Sequence, residues 1–232
     1  MIRRENDGKV RILSLERPEK RNALNRALAE SLLAELRAVM RDQSVIGVVL
    51  GGAGPSFCAG EDLGENRAYA DDRDARLARF ALGEKLLRIT EEIGKPVVAA
   101  VQGAAMGAGA AMALSCDMVV AEPGARFAFP EARHDILPVQ MVPILQRHLG
   151  PKLTFELLAT GRDVPAEEAL RLGLVNRIVP SEKLREEAVR LVHAAALLSP
   201  SVMLSMKALC SHGPQGIAAG FASARTVWQT RL

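Results

Sequence analysis

Aromatic side chains are scarce in this sequence, and neither sign of charge is in large excess. Phe, Trp and Tyr make up 3% of the 232 residues, and 30 Lys and Arg against 27 Asp and Glu leave a net charge of +3. A nucleic-acid-binding domain is recognised by a clustered basic face with rings for base stacking. Neither is visible here, so nucleic acid is not expected as a partner.

Cysteine is also rare, and Cys58, Cys116 and Cys210 are widely spaced. This pattern fits neither a disulfide framework nor a set of metal ligands, and it is typical of a protein in a reducing cytosol. The sequence lacks an apolar run of the roughly 18 residues that a membrane helix needs. Its polar N-terminus lacks a signal-peptide core. We expect a cytoplasmic protein with no metal site and no membrane contact.

Apolar runs alternate with helical periodicity through the first half of the chain. Strands are predicted at 10–16, 45–50, 96–101 and 117–121. Apolar residues recurring every four positions between Leu24 and Met40 predict an amphipathic helix. A charged helix is predicted between Asp71 and Ile93, with four side chains turned toward the core: Leu77, Phe80, Leu87 and Ile89.

Proline and glycine mark helix ends in the second half of the chain. The helices predicted there are 151–161, 165–173, 181–198 and one that begins at Ser199-Pro200. Strand–helix alternation followed by helices predicts an α/β fold. We predict a core domain over residues 1–198 and a helical C-terminal region over residues 199–232.

Two glycine-rich segments follow predicted strands, at 57–63 (FCAGEDL) and 102–111 (QGAAMGAGAA). We call them the first and second amide segments. Backbone N–H groups at a tight turn or a helix N-terminus are rigid and stabilise negative charge that develops on an oxygen atom. Small residues allow a ligand to approach the backbone closely. Either segment alone is equally consistent with an ordinary strand-to-helix turn, but the two together suggest paired donors for one thioester oxygen.

The order of motifs along the chain resembles that of the crotonase (enoyl-CoA hydratase/isomerase) family. The two amide segments and the buried strand between them are the most specific part. The resemblance covers roughly residues 8–210 and also includes 17–24 (RPEKRNAL), Ser115-Cys116-Asp117, Phe129-Pro130-Glu131, 160–175 and 199–207. It implies an α/β crotonase fold, a spiral of ββα repeats with a helical C-terminal region.

The resemblance also implies a substrate and an assembly. The substrate is an acyl-CoA thioester, coenzyme A enters only as part of that substrate, and the protein is a homo-oligomer (a trimer or a dimer of trimers). By position, the backbone amides of Ala59 and Ala108 form an oxyanion hole. The residues expected to bind the coenzyme A thioester are Lys20, Arg21, Ala23, Leu24, Gly60, Asp62, Leu63 and Gly107.

The family's hydratases hold one water between two glutamates, and this chain matches only one of those positions. Glu131 stands at the matching position, whereas Ala111 occupies the other. Alanine cannot polarise a water, and loss of a general acid–base group costs roughly 10²–10⁴-fold in rate. A single carboxylate can still take a proton from C2 of a 3-enoyl thioester and return it at C4. The resemblance therefore favours Glu131-dependent Δ3–Δ2 enoyl-CoA isomerisation.

Several alternatives stay open. His134 and Asp135 follow Glu131, where the family usually has glycine at the second of these positions, and they are candidate bases for hydrolysis or decarboxylation. Glu61 and Glu65 are reserve acids beside the first amide segment. Hydration at reduced efficiency is a further alternative. A non-catalytic acyl-CoA-binding subunit is another, and the C-terminal region, expected to be shorter than the family's, is consistent with it.

Overall fold

Two sheets form the β structure of the computed structural model, which describes residues 1–68 and 71–211. The larger sheet has the strand order β1 (Ile2–Asp7), β2 (Val10–Leu15), β3 (Gly47–Gly52), β4 (Val97–Val101), β6 (Met118–Ala121) and β9 (Arg177–Ile178). The smaller sheet has the order β5 (Ala104–Met106), β7 (Arg126–Ala128) and β8 (Val164–Pro165). β1 is antiparallel to β2, and every later pairing in the larger sheet is parallel.

Helices connect the strands and then dominate the second half of the described chain. They are α1 (Arg26–Arg41), α2 (Leu63–Ala68), α3 (Arg73–Glu92), α4 (Ala108–Leu114), α5 (Met141–His148), α6 (Pro151–Thr160), α7 (Ala166–Arg171), α8 (Leu184–Ala195) and α9 (Pro200–Ser211). Within residues 1–68 and 71–211, none of these helices taken singly has the length and apolar character of a membrane span. The bent pair Ser181–Ala195 and Pro200–Cys210 passes that test only when both members are combined.

Local sequence signals account for several helix ends. The Asn25 side chain accepts the Leu28 N–H at 2.9 Å and so caps α1. Asp72 caps α3 in the same way by accepting the Ala75 N–H at 2.9 Å. Gly161 ends α6 in the left-handed conformation, at φ 59°. The predicted amphipathic helix after Leu24 and the predicted helix ending at Gly161 are confirmed.

The central parallel strands β3, β4 and β6 are largely buried on both faces, as expected when helices cover each side of a sheet. All five residues of β4 are buried. One face packs on α1, α3 and α4 in the main core, through side chains such as Leu36, Leu86 and Met112. The opposite face packs on α8 through Ala188 and Val192. The continuous apolar runs predicted as strands reflect this double coverage.

The topology brings the two amide segments together. β3 and β4 are parallel neighbours, so the segments that follow them start at the same edge of the larger sheet. The first segment leads from β3 into α2, and the second leads from β4 through β5 into α4. In open parallel sheets, ligands bind at the carboxyl ends of the strands. The fold therefore places both segments where a ligand site is expected.

Two side chains predicted in the core lie at the surface instead. Leu77 and Phe80 are 56% and 45% exposed, whereas Leu87 and Ile89 are buried as predicted. α3 carries apolar residues on more than one face, and periodicity alone does not distinguish the face on the core from a face on a cavity. The predicted inward orientation of Leu77 and Phe80 is therefore wrong.

The C-terminal helices differ in detail from the prediction. A 3-10 turn at Ser181–Lys183 precedes α8, and the Ser181 hydroxyl donates to Glu122 at 2.7 Å instead of capping the helix. α8 ends at Ala195, short of the predicted end at 198. α9 begins at Pro200 as expected. The remainder of the predicted C-terminal region, including Trp228, lies outside the described residues, and the division at 198/199 stays a prediction.

Candidate active site

Asn22 fixes the loop between β2 and α1 against the first amide segment. Its side chain is fully buried, and Nδ2 donates to the carbonyl oxygens of Ala53 and Ser56, each at 2.8 Å. Its Oδ1 accepts the Arg17 N–H at 3.0 Å. The sequence motif contained this asparagine without indicating its role. A buried amide with this many partners is difficult to replace, because each lost bond leaves a polar group unpaired.

The predicted Ala59 donor is wrong in this structure. The Ala59 N–H already donates to the Arg21 carbonyl oxygen at 2.9 Å. Its proton is therefore directed toward the N-terminal loop and is not available to a substrate oxygen. The sequence could not show this, because the acceptor lies far away along the chain.

Glu61 provides the free amide of the first segment. Leu24 forms a parallel bridge with Glu61, in which the Leu24 N–H donates to Gly60 at 2.7 Å and its carbonyl accepts the Asp62 N–H at 3.1 Å. In such a bridge the central residue directs its own N–H to the opposite side. The Glu61 N–H has no acceptor among the described residues.

Ala108 provides a second free amide at the first position of α4. The preceding Gly107 has φ 49° and ψ −120°, a conformation that side chains with a Cβ rarely adopt. The first N–H groups of a helix have no partner within it. The Ala108 N–H has no acceptor in the part of the chain that the structure describes. The predicted position of this donor agrees with the geometry.

Backbone hydrogen bonds join the two segments directly. The Cys58 N–H donates to Ala104 at 3.1 Å, and the Met106 N–H donates to the Cys58 carbonyl at 2.9 Å. A Cβ placed on Gly60 would lie 3.7 Å from the Ala108 nitrogen. The chain just before Glu61 is therefore within a few ångströms of the Ala108 amide.

Glu131 lies beside these amides, in a 3-10 turn at Pro130–His134. A Cβ added to Gly107 would lie only 2.5 Å from Glu131 Oε1, so the carboxylate packs directly against the glycine. The Oε2 atom is buried and has no hydrogen-bond partner in the described structure. Burial raises the pKa of the Glu131 carboxyl, its own backbone N–H partly offsets this, and the charge of Glu61 raises the pKa further.

Ala111 belongs to the core. Its exposure is 0%, and its N–H donates to the Gly107 carbonyl within α4 at 2.9 Å. It is not among the residues that line the cavity described below. No polar group reaches the site from the position where the family's hydratases carry their other glutamate.

A cavity of about 1200 Å³ connects the amide segments, Glu131 and the exposed apolar residues of α3. Leu77 and Phe80 line one wall, and the loop 136–139 lines another. Their exposure is explained by this cavity, which gives them a ligand-facing position. Predicted site residues that line it are Lys20, Arg21, Ala23, Ala59, Gly60, Asp62, Leu63, Gly107, Ala108, Glu131 and His134.

Two predicted site residues, and the reserve acid Glu65, do not line the cavity. Leu24 is 2% exposed and packs in the core, so only its backbone supports the site, through the bridge to Glu61. Asp135 lies next to the lining residue His134 but adopts φ 54° at the end of the 3-10 turn. The structure thus separates the suggested pair, with only His134 facing the cavity.

The remaining polar groups near the site have structural partners. The Asp62 carboxylate pairs with Arg17 at 2.9 Å and accepts the Gly64 N–H at 3.0 Å. Burial raises the pKa of the Cys58 thiol to about 12, which makes it a poor nucleophile. Within residues 1–68 and 71–211, no cluster of three or more His, Cys, Asp or Glu side chains is arranged to hold a metal ion.

The fold and these elements define an α/β protein in which two free backbone amides and a half-buried glutamate share one cavity. The chain belongs to the enoyl-CoA hydratase/isomerase family, whose model matches residues 5–216. It is therefore an acyl-CoA enzyme of this family, and the predicted crotonase fold is confirmed.

Known proteins of the family are similar over most of their length. The short-chain-enoyl-CoA hydratase of Clostridium acetobutylicum is 35% identical over 208 residues, covering 88% of this chain and 79% of that protein. The 2,3-dehydroadipyl-CoA hydratase of Escherichia coli is 35% identical over 222 residues, covering 95% of this chain and 86% of that protein. The crystal structure of an enoyl-CoA hydratase from Mycobacterium smegmatis has a TM-score of 0.90 at 32% identity, covering 99% of this chain and 90% of that one.

Proposed function

We propose that this enzyme converts an acyl-CoA thioester to an enolate and moves one proton with Glu131, in a Δ3–Δ2 enoyl-CoA isomerisation. The observation that carries the proposal is the position of Glu131, with a buried and unpartnered Oε2, beside the free Ala108 amide. A carboxylate oxygen with no competing partner, such as Oε2, is suited to exchange a proton with carbon. Coenzyme A enters as part of the substrate, and no other cofactor takes part.

The backbone amides of Glu61 and Ala108 are the proposed oxyanion hole. As the C2–H bond breaks, negative charge moves to the thioester oxygen. Two rigid donors at that oxygen lower the barrier, and removing one such donor typically costs roughly 10²–10³-fold in rate. Glu61 replaces Ala59 in this assignment because the Ala59 N–H is already bonded to Arg21.

Glu131 carries the proton through both steps. Its carboxylate takes the proton from C2 while the electron pair of that bond moves into the enolate. The double bond then shifts from C3=C4 to C2=C3 as C4 takes the same proton from Glu131. Atoms and charge balance without another reactant. Lys20 and Arg21, both exposed on the cavity rim, are proposed to pair with the phosphates of coenzyme A.

A direct assay tests the proposal. Purified enzyme is mixed with 3-enoyl-CoA thioesters of several chain lengths, and formation of the conjugated 2-enoyl thioester is followed by absorbance and product mass. Glu131→Gln is expected to lower kcat by roughly 10²–10⁴-fold. Glu65→Gln, the same change outside the cavity, is the matched control and keeps its rate. Unchanged isomerisation by Glu131→Gln would exclude the single-carboxylate mechanism.

Hydration of 2-enoyl thioesters is the second candidate function. The similar proteins named above are hydratases, which favours it, whereas Ala111 argues against the two-glutamate arrangement. Hydrolysis or decarboxylation assisted by His134 is a weaker alternative, because Asp135 does not share the cavity.

A non-catalytic acyl-CoA-binding subunit is the alternative from another class of function. It is supported if calorimetry detects acyl-CoA binding while 2-enoyl, 3-enoyl and malonyl-type thioesters are all left unchanged.

We also propose that the protein is a homo-oligomer, a trimer or a dimer of trimers as the family resemblance implies. Exposed apolar side chains such as Phe155, Leu197 and Met206 are consistent with an interface. Light scattering after size-exclusion chromatography measures the mass directly. A monomer at micromolar concentration would contradict the proposal. The cytoplasmic location and the absence of nucleic-acid and membrane partners stay predictions.

A further inference from the structure

Glu61 contributes more to the cavity than a backbone amide. Its carboxylate lines the cavity and is held from two directions. Asn66 Nδ2 donates to Oε2 at 2.7 Å, and Arg79 Nη2 lies 3.3 Å from Oε1. These partners come from α2 and α3, the two helices that follow the first amide segment. The Glu61 carboxylate is thus held in place by residues that lie outside the first amide segment.

Arg79 is an unusual residue to find next to an acyl pocket. Its side chain is only 8% exposed, its Nη2 also donates to the Leu24 carbonyl at 3.1 Å, and its Nε is buried without a partner in the described structure. Arginine stays charged when buried, and a buried charge is tolerated only when it is paired. Arg79 therefore keeps Glu61 oriented beside the thioester-binding amides.

The two carboxylates of the cavity have contrasting environments. Glu131 Oε2 is buried and has no partner among the described residues, whereas Glu61 Oε2 accepts from Asn66 and Oε1 forms an ion pair with Arg79. Burial without a partner at Oε2 favours the protonated form of the Glu131 carboxyl, whereas the partners of Glu61 hold its carboxylate in one orientation. In this arrangement Glu131 is suited to give a proton, and Glu61 is suited to accept one.

We infer that Glu61 is a second catalytic carboxylate, which enables hydration of a 2-enoyl thioester although Ala111 cannot take part. The inference rests on the proposed enolate, held by the Glu61 and Ala108 amides. In this mechanism Glu61, from the first amide segment, takes the role of the acid that is absent at Ala111. The two functional glutamates then come from the first amide segment and from the 3-10 turn at Pro130–His134, and both line the same cavity.

The proposed step balances in atoms and charge. Glu61 accepts one proton from a water whose oxygen adds to C3, and the electron pair of the C2=C3 bond moves into the enolate. Glu131 then delivers its proton to C2 as the enolate collapses. The product is a 3-hydroxyacyl thioester. Glu61 passes its proton to solvent and Glu131 takes one from solvent, which restores the starting state.

The test compares hydration with isomerisation in the same preparations. Glu61→Gln keeps an acceptor for Arg79 but removes the base. We expect it to lower kcat for hydration of 2-enoyl-CoA by about 10²-fold or more and to reduce hydration at least about tenfold more than isomerisation. Glu65→Gln is the matched control, since Glu65 lies on α2, directly after the first amide segment, but outside the cavity.

A second variant separates chemistry from folding. Glu61→Ala leaves space for a small carboxylate, and added formate is expected to restore part of its hydration rate in proportion to formate concentration. Failure of formate to restore any rate would contradict a catalytic role, as would hydration by Glu61→Gln within about threefold of the wild-type rate. Wild-type enzyme that isomerises but does not hydrate would overturn this inference and leave the proposed function intact. Unchanged isomerisation by Glu131→Gln would overturn the proposed function instead.

Discussion

At the scale of single residues, the site depends on the ionisation of Glu131. Burial raises the pKa of this carboxyl, and the charge of Glu61 acts in the same direction. Isomerisation needs Glu131 as a carboxylate, so its rate rises as pH increases through the raised pKa. Hydration, as inferred above, needs the protonated form, so its rate falls as pH increases through the same pKa. The two reactions are therefore expected to have opposite pH dependence.

The measurement is kcat/KM for both substrates over a range of pH. The rising limb for isomerisation is expected above the usual range for glutamate. Glu61→Gln removes a nearby negative charge and is expected to move that limb to lower pH. A limb that stays in place would show that Glu61 does not influence Glu131. The other charged or titratable groups lining the cavity are Lys20, Arg21, Asp62, Arg73, Arg76, Arg79 and His134.

Gly107 positions both the Glu131 carboxylate and the Ala108 amide. Its φ of 49° is a conformation that favours glycine, and an added Cβ would lie 2.5 Å from Glu131 Oε1. We expect Gly107→Ala to lower kcat by roughly 10²-fold or more, because it displaces the carboxylate and the Ala108 donor together. Gly124→Ala is the control, since its Cβ would meet only Glu122 Oε1, at 3.7 Å. Equal rates for the two variants would refute this account of Gly107.

At the scale of elements, helices and strands with strong periodicity could be predicted from the sequence. α1 and β4 follow from leucine spacing and from a continuous apolar run, both of which are local properties. β8 and β9 could not be predicted, because each is only two residues long and is defined by its pairing partner. The sequence does not predict the exposure of Phe80 for a related reason. A helix face that lines a cavity has the same apolar pattern as a face that packs in the core.

The candidate site shows the same division between local and non-local information. Glu131 and the Ala108 amide follow from motif positions, and the structure places them side by side. The choice between the Ala59 and Glu61 amides depends on hydrogen bonds to Arg21 and Leu24, which lie in a distant part of the chain. The buried Arg79 beside Glu61 was equally invisible, since a lone arginine on a charged helix is usually solvated.

The 3-10 turn that carries Glu131 ends at Asp135 in a left-handed conformation, at φ 54°. This conformation costs most side chains roughly 1–2 kcal/mol, although aspartate tolerates it better than most. We expect Asp135→Gly to raise the free energy of unfolding by up to about 1 kcal/mol, measured by urea denaturation. Isomerisation should persist, since Asp135 does not line the cavity. Loss of activity without loss of stability would restore Asp135 as a catalytic candidate.

At the scale of the whole molecule, one sheet edge gathers the functional groups while the helices hold that edge in place. α3 packs against α1, α4 and α9, and it supplies both the apolar cavity wall and Arg79. Any movement of α3 would therefore change the acyl pocket and the Glu61 carboxylate together. Because α9 packs against α3, weakening the attachment of α9 tests whether the acyl pocket and the Glu61 carboxylate change together.

Lys207 anchors α9 through an ion pair in which the lysine is buried and the aspartate is partly exposed. Its side chain is 6% exposed, and Nζ contacts Asp117 Oδ2 at 2.7 Å and donates to the carbonyl oxygens of Thr90 and Lys95, each at 2.9 Å. Burial lowers the pKa of Lys207 and raises that of Asp117, although the Asp117 side chain is still 22% exposed. Removing one partner of such a pair leaves the other charge uncompensated.

We expect Lys207→Met to lower the free energy of unfolding by roughly 1–3 kcal/mol, measured by urea denaturation, whereas Lys183→Met, at an exposed lysine, should change it little. The double variant Lys207→Met with Asp117→Asn should recover part of the loss, because no unpaired charge is then left at this contact. The acyl-CoA KM should rise in Lys207→Met, since α9 supports the helix that lines the pocket. Full stability in the single variant would mean that α9 is held by its apolar contacts alone.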